Sequence, residues 1–190
     1  MNNGLYIHPN EGIEVKDKII GYCLDESKII SINSSSNNIY FSLRNDKIPG
    51  LIDYEYDEDS NEPYKDLDGR YNTNCIVDYC KKNNINLQNI YPSIYYCKSF
   101  SPGFKDGEWY LPSMGELKLF YDRRNEFRKS CKLIGLETNM DSDNSGAFYF
   151  WSSTEYSFQY SWSLSFEYTN PSYWGLKIVY KIYVIPFLSF

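Results

Sequence analysis

Trp109-Tyr110-Leu111-Pro112-Ser113-Met114-Gly115-Glu116-Leu117 and, further on, Trp151-Ser152-Ser153-Thr154-Glu155 are the two stretches whose reading decides the fold. In the first, Pro112 ends an extended segment and Ser113 is a good helix N-cap. Glu116 stands three residues later and completes a capping box. Met114, Leu117, Phe120, Tyr121 and Phe127 then fall near helical spacing. The spacing predicts a helix of about four turns with one buried face. The second stretch opens a β-rich half. Trp162-Ser163-Leu164-Ser165-Phe166 alternates strictly, which predicts a strand with one buried face.

Outward from these stretches, residues 1 to 50 read as β-rich. Ile19 to Tyr22, Ile29 to Ile32 and Ile39 to Leu43 are short strand candidates, separated by turn-formers such as Ser34 to Asn38. Residues 53 to 68 are acidic and read as an exposed loop. Asn72 or Thr73 is expected to cap a helix running to Cys80–Lys82, and Pro92 to open another through Phe100. Residues 138 to 147 form a polar loop. In the tail, Ile178, Tyr180, Ile182 and Val184 share one face of an imperfect alternation, with Lys177, Lys181 and Tyr183 on the other. That predicts a strand within Leu176 to Phe190, buried on the first face. Strands, then helices, then strands suit an α+β fold and do not alternate as a parallel α/β sheet would.

The same motifs carry a resemblance. The chain resembles the Lcl C-terminal domain family, modules of C-type-lectin fold found in gut bacteria and their phages. The resemblance rests on Trp109 to Leu117, Trp151 to Glu155, Trp162 to Phe166 and Val184-Ile185-Pro186, with Asp68-Gly69-Arg70-Tyr71-Asn72-Thr73 and Tyr96-Cys97 upstream. It covers roughly residues 66 to 190. The departure is Ile185, where relatives usually carry Arg. The division implied is a β-rich segment with an acidic loop over 1–65 and a C-type-lectin-like domain over 66–190.

Bulk properties narrow the function. A net charge of −6 argues against nucleic acid or an anionic membrane as the main partner. No apolar run approaches the roughly 18 residues of a membrane helix, and the first residues show no signal-peptide pattern. Cys23, Cys75, Cys80, Cys97 and Cys131 are odd in number and irregularly spaced, so free, mostly buried thiols are expected. The 20 Tyr, 11 Phe and 4 Trp are an outlier. AT-rich coding explains part of that excess but not the crowding of aromatics over residues 148 to 190.

Catalytic residues are expected to be none. The single histidine, His8, is near the N-terminus, and a Ser or Cys nucleophile most often needs a His base. The paired C-terminal cysteines of the formylglycine-generating oxidases, enzymes of the resembled fold, have no counterpart after Cys131. Asp141 to Gly146 imitates the opening of a calcium loop, but its twelfth position is Ser152 and supplies no bidentate carboxylate. No metal and no cofactor are therefore expected. Trp109, Trp151, Trp162 and Phe166 read as core, with the hydroxyls of residues 152 to 154 and the Glu155 carboxylate satisfying buried backbone groups.

The remaining candidates are the tail aromatics, in two segments that read as turns, Tyr156 to Tyr160 and Tyr168 to Trp174. Phe158, Tyr160, Tyr168, Asn170, Ser172, Tyr173 and Trp174 combine large rings with small polar groups. That mixture gives contact area at low entropic cost together with adaptable hydrogen bonds. In relatives these positions form the ligand-facing surface, in some diversified by retroelement-driven mutagenesis. The expectation is a non-enzymatic recognition module with a protein or carbohydrate ligand. It would sit on a virion surface if phage-encoded, and otherwise in the cytoplasm or on the cell surface by a non-classical route. The alternative is a structural virion or assembly protein, a homo-oligomer burying the same aromatics between subunits.

Overall fold

Ser113 and Glu116 form the reciprocal pair that their spacing predicts. The Ser113 N–H donates to Glu116 Oε2 at 2.8 Å, and the Glu116 N–H donates to Ser113 Oγ at 3.4 Å. The helix they start is Met114–Asp122, burying Met114, Leu117 and Phe120. Phe127, the last residue of the expected buried face, lies outside the described residues. The computed structural model of the chain describes residues 13–15, 18–22, 39–54, 62–99, 109–122, 124, 149–165 and 172–189.

In chain order these residues hold strands β1 (Ile13–Val15), β2 (Lys18–Tyr22) and β3 (Ile39–Tyr40), then a 3-10 turn at Glu62–Lys65. Helices α1 (Gly69–Lys82), α2 (Leu87–Ile90), α3 (Pro92–Lys98) and α4 (Met114–Asp122) follow. Strands β4 (Tyr149–Ser157), β5 (Tyr160–Ser165), β6 (Ser172–Leu176), β7 (Lys181–Ile182) and β8 (Phe187–Ser189) complete the order. The chain is α+β, with helices and antiparallel sheets in separate stretches.

The strands form sheets ordered β1-β2-β8, β3-β7 and β4-β5-β6. Pairing crosses the 65/66 boundary: Tyr22 lies opposite Phe187, and Ile39 opposite Ile182. Two of the core indoles tie the same regions together. Trp151 Nε1 donates to the Ile39 carbonyl and Trp162 Nε1 to the Tyr54 carbonyl, each at 2.9 Å. Strand β4 feeds two cores through adjacent residues. Phe150 packs with Met114, Leu117, Phe120, Leu164 and Phe187, whereas Trp151 packs with Phe41, Ile76, Ile94, Leu111 and Val184.

Several expectations need correction. Helix α1 is capped by Asp68, whose carboxylate accepts from the Tyr71 N–H at 3.1 Å, and not by Asn72 or Thr73. Those two residues turn inward. Asn72 Nδ2 donates to Asp66 at 2.7 Å, and Thr73 Oγ1 accepts from the Leu111 N–H at 3.0 Å. The acidic stretch is consequently not all exposed loop. Asp66 also accepts from Thr154 Oγ1 at 2.7 Å, which makes it a junction between α1 and β4. Helix α3 does begin at Pro92, but it ends at Lys98; Phe100, Ile29 to Ile32 and residues 138 to 147 lie outside the described residues. Of Ile39 to Leu43 only Ile39–Tyr40 is strand, because Phe41 turns into the core beneath Trp151.

Strand β5 was expected to bury one face and instead buries both. Ser161, Ser163 and Ser165 are as inaccessible as Trp162 and Leu164. Their small hydroxyls are satisfied locally: Ser161 donates to the Ser152 and Thr154 carbonyls, and Ser163 to the Tyr173 carbonyl. The tail departs further. Ile178, Val179 and Tyr180 form an exposed turn, closed by the Val179 and Tyr180 N–H groups on the Leu176 carbonyl, while Lys177 is buried. The strand resumes only at β7, after which Val184, Ile185 and Phe187 are buried in succession because both sides are covered.

Two close approaches fix the helices. A Cβ on Gly115 would lie 2.3 Å from the Asp66 carbonyl oxygen, and one on Gly69 2.4 Å from the Ser113 nitrogen. Only glycine lets the first turn of α4 rest directly on the 64–66 backbone and the start of α1 on residue 113.

Candidate functional site

The sheet β4-β5-β6 places the tail aromatics. Cross-strand register sets Trp162 opposite Trp174, Ser163 opposite Tyr173 and Tyr160 opposite Leu176. Tyr156, near the end of β4, bridges from the core to the edge. Its ring lies 5.6 Å from that of buried Trp162 and stacks on Trp174 at 5.3 Å. Tyr160 meets Trp174 edge-on at 5.1 Å, and Tyr173 lies parallel to Trp174 at 6.0 Å. Tyr149 continues the series, 5.3 Å from Tyr173. Ring contacts of this kind hold large side chains in place without burying them. The series therefore runs from a packed core outward to solvent, with Tyr173 49% and Trp174 38% exposed.

Of the expected site residues, Tyr160, Tyr173 and Trp174 come together in this cluster. Phe158 occupies the β4–β5 turn, 42% exposed. Ser172 lies in β6 opposite Leu164. Tyr168 and Asn170 lie outside the described residues. The two segments are also not turns throughout: Tyr156, Ser157 and Tyr160 belong to a hairpin, and Ser172, Tyr173 and Trp174 to its neighbouring strand. Tyr156 belongs to the first aromatic segment without being among the expected site residues, and Tyr149 lies outside both segments. Their part depends on cross-strand register, which alternation within one segment does not reveal. Ile178, Val179 and Tyr180 add an exposed apolar turn, whereas the tail alternation puts Ile178 and Tyr180 on the buried face.

Beneath this surface lies a buried ion pair. Lys177 meets Glu155, each side chain about 2–3% exposed. Lys177 also reaches the Phe158 carbonyl at 3.4 Å, and its N–H donates to the Gln159 carbonyl at 3.0 Å. The β4–β5 turn and the turn after β6 are thereby held to one another. Burial pushes Glu155 above the usual carboxyl range, opposed by the Lys177 charge. It pulls Lys177 below the usual lysine range, opposed by Glu155.

Two other polar groupings serve the fold. Glu116 is buried between α1 and α4. Burial raises it to about 7, against hydrogen bonds from Ser113 and Tyr110 that favour its ionised form. A cleft of about 210 Å³ opens beside α1, lined by Ile52, Tyr54, Asp66, Asp68 and Tyr71 among others. Its carboxylates are engaged already, Asp66 by Asn72 and Thr154, and Asp68 as the helix cap. Among the described residues no group of three or more His, Cys, Asp or Glu could hold a metal ion, and no helix is long and apolar enough to cross a membrane. Cys75, Cys80 and Cys97 are free thiols. His8 and Asp141 to Gly146 lie outside the described residues. No protein-family model, curated protein or solved structure matches the chain.

Proposed function

We propose that this chain is a non-enzymatic recognition module of C-type-lectin-like fold, whose aromatic edge contacts a protein or glycan on behalf of a phage virion or a cell surface. One observation carries the reading: Tyr173 and Trp174 on strand β6 and Phe158 in the β4–β5 turn stay exposed instead of joining the core. Large apolar groups held at a surface are costly to keep there without a partner. The contacts of Trp174 with Tyr156, Tyr160 and Tyr173 reduce the ordering cost of binding. The fold reading is supported by the positions of the resembling motifs. Trp109 to Leu117, Trp151 to Glu155, and Val184 to Pro186 are all buried.

The assembly reading has one observation in its favour. Strand β6 ends the described order β4-β5-β6, and an edge strand can pair with another chain. One experiment separates the two. Full-length protein and the triple variant Phe158→Ala, Tyr173→Ala, Trp174→Ala are compared on immobilised glycans, on intact bacterial cells and by sedimentation. Recognition predicts that the variant folds, keeps its sedimentation coefficient and loses binding. An oligomer that falls apart in the variant, or binding that survives, overturns it.

A further inference from the structure

The buried pair beneath the aromatic edge has a third member. Asp53 forms a backbone bridge with Glu155, and its charge acts on both Glu155 and Lys177. The Asp53 side chain is 30% exposed and faces Lys47 at 3.7 Å, so it connects the buried pair to solvent. On the other side, Lys177 Nζ lies 5.2 Å from the centre of the Phe41 ring. An amine and a carboxyl carbon are thus fixed together away from water, with a second, partly exposed carboxyl group on the solvent side. We infer that Lys177 and Glu155 join in an intramolecular amide cross-link, formed after folding with Asp53 as the proton-transfer group.

The chemistry is a condensation. With the proton shared inside the site, the neutral Lys177 amine attacks the Glu155 carboxyl carbon and a C–N bond forms. Asp53 accepts a proton from the nitrogen and returns it to the departing hydroxyl. The C–O bond breaks and one water leaves, and Asp53 ends as it began, so neither oxidant nor co-reactant is needed. Burial favours each step. It shifts both partners toward their neutral, reactive forms. It also penalises the ion pair, whose charges have lost their hydration, but not the amide. Fixed contact replaces the encounter that makes such condensations slow in solution.

The bond would join β4 to the turn after β6, across a sequence separation of 22. The two turns that flank the aromatic edge would then be locked together without a disulfide. This inference does not depend on what the edge binds.

Intact-mass measurement of the folded, full-length protein tests it. The expected mass is that of the sequence less one water, with a branched tryptic peptide joining the Glu155 and Lys177 segments. Lys177→Arg and Asp53→Ala should each regain the full mass and lose that peptide. A folded wild-type chain of full sequence mass overturns the inference. Loss of water without the branched peptide, as succinimide formation at Asp68-Gly69 would give, overturns it equally. A branched peptide in Asp53→Ala overturns the role assigned to Asp53.

Discussion

Glu116→Gln is the substitution whose effect follows most directly from the structure. The carboxyl lies between α1 and α4, where Ser113 N–H, Ser113 Oγ and Gly69 N–H all donate to Oε2, at 2.8, 3.2 and 3.2 Å, and Tyr110 OH to Oε1 at 3.0 Å. Burial nevertheless raises it from 4.5 to about 7. At ~1.4 kcal/mol per pH unit, that difference amounts to about 3 kcal/mol. The sign follows from proton binding. Between these two values the folded state holds a proton that the unfolded state has released. The contribution is therefore complete below about pH 4.5 and is lost as pH rises through 7. Glutamine imitates the protonated form, with its carbonyl facing the backbone donors and its amide facing the Tyr110 oxygen. Urea unfolding of both proteins between about pH 4.5 and 8 reads the effect. The wild type should lose up to about 3 kcal/mol relative to the variant across that range. Groups common to both proteins, Glu155 included, cancel in the difference. Parallel stability curves would refute the reasoning, because they would mean that the four donors keep Glu116 ionised throughout.

Three further outcomes are expected. Trp151→Ala should cost about 3–5 kcal/mol, since the ring is fully buried against Phe41, whereas Phe158→Ala should stay within about 0.5 kcal/mol; paired thermal melts check both. Gly115→Ala drives a methyl group into the Asp66 and Tyr64 carbonyls and should destabilise by about 1–3 kcal/mol or more, read as a lowered urea midpoint. Deletion of Val184 to Phe190 removes buried Val184, Ile185 and Phe187, at roughly 1.5–3 kcal/mol each, and should abolish the cooperative transition seen by circular dichroism.

What the sequence determined by itself is what neighbouring residues decide among themselves. A cap and its acid three positions on start α4. Pro92 opens α3, and alternation marks β5. Each of these needs only a local spacing, so each is legible without a fold. The α+β class follows from their order. The tertiary structure decided everything that depends on partners distant in the chain. Asp68 became the cap of α1 because Asn72 and Thr73 were claimed by Asp66 and Leu111. The serines of β5 were buried because carbonyls lay within reach of their hydroxyls. Lys177 went inside, against its polarity, because Glu155 of another strand was there to receive it, and Ile178 to Tyr180 were left outside in the turn that this contact closes. The candidate surface divides in the same way. Its aromatic composition is plain in the sequence, but which rings stack and which meet solvent is set by the register of β5 against β6. A one-residue slip would send every one of those side chains to the opposite face.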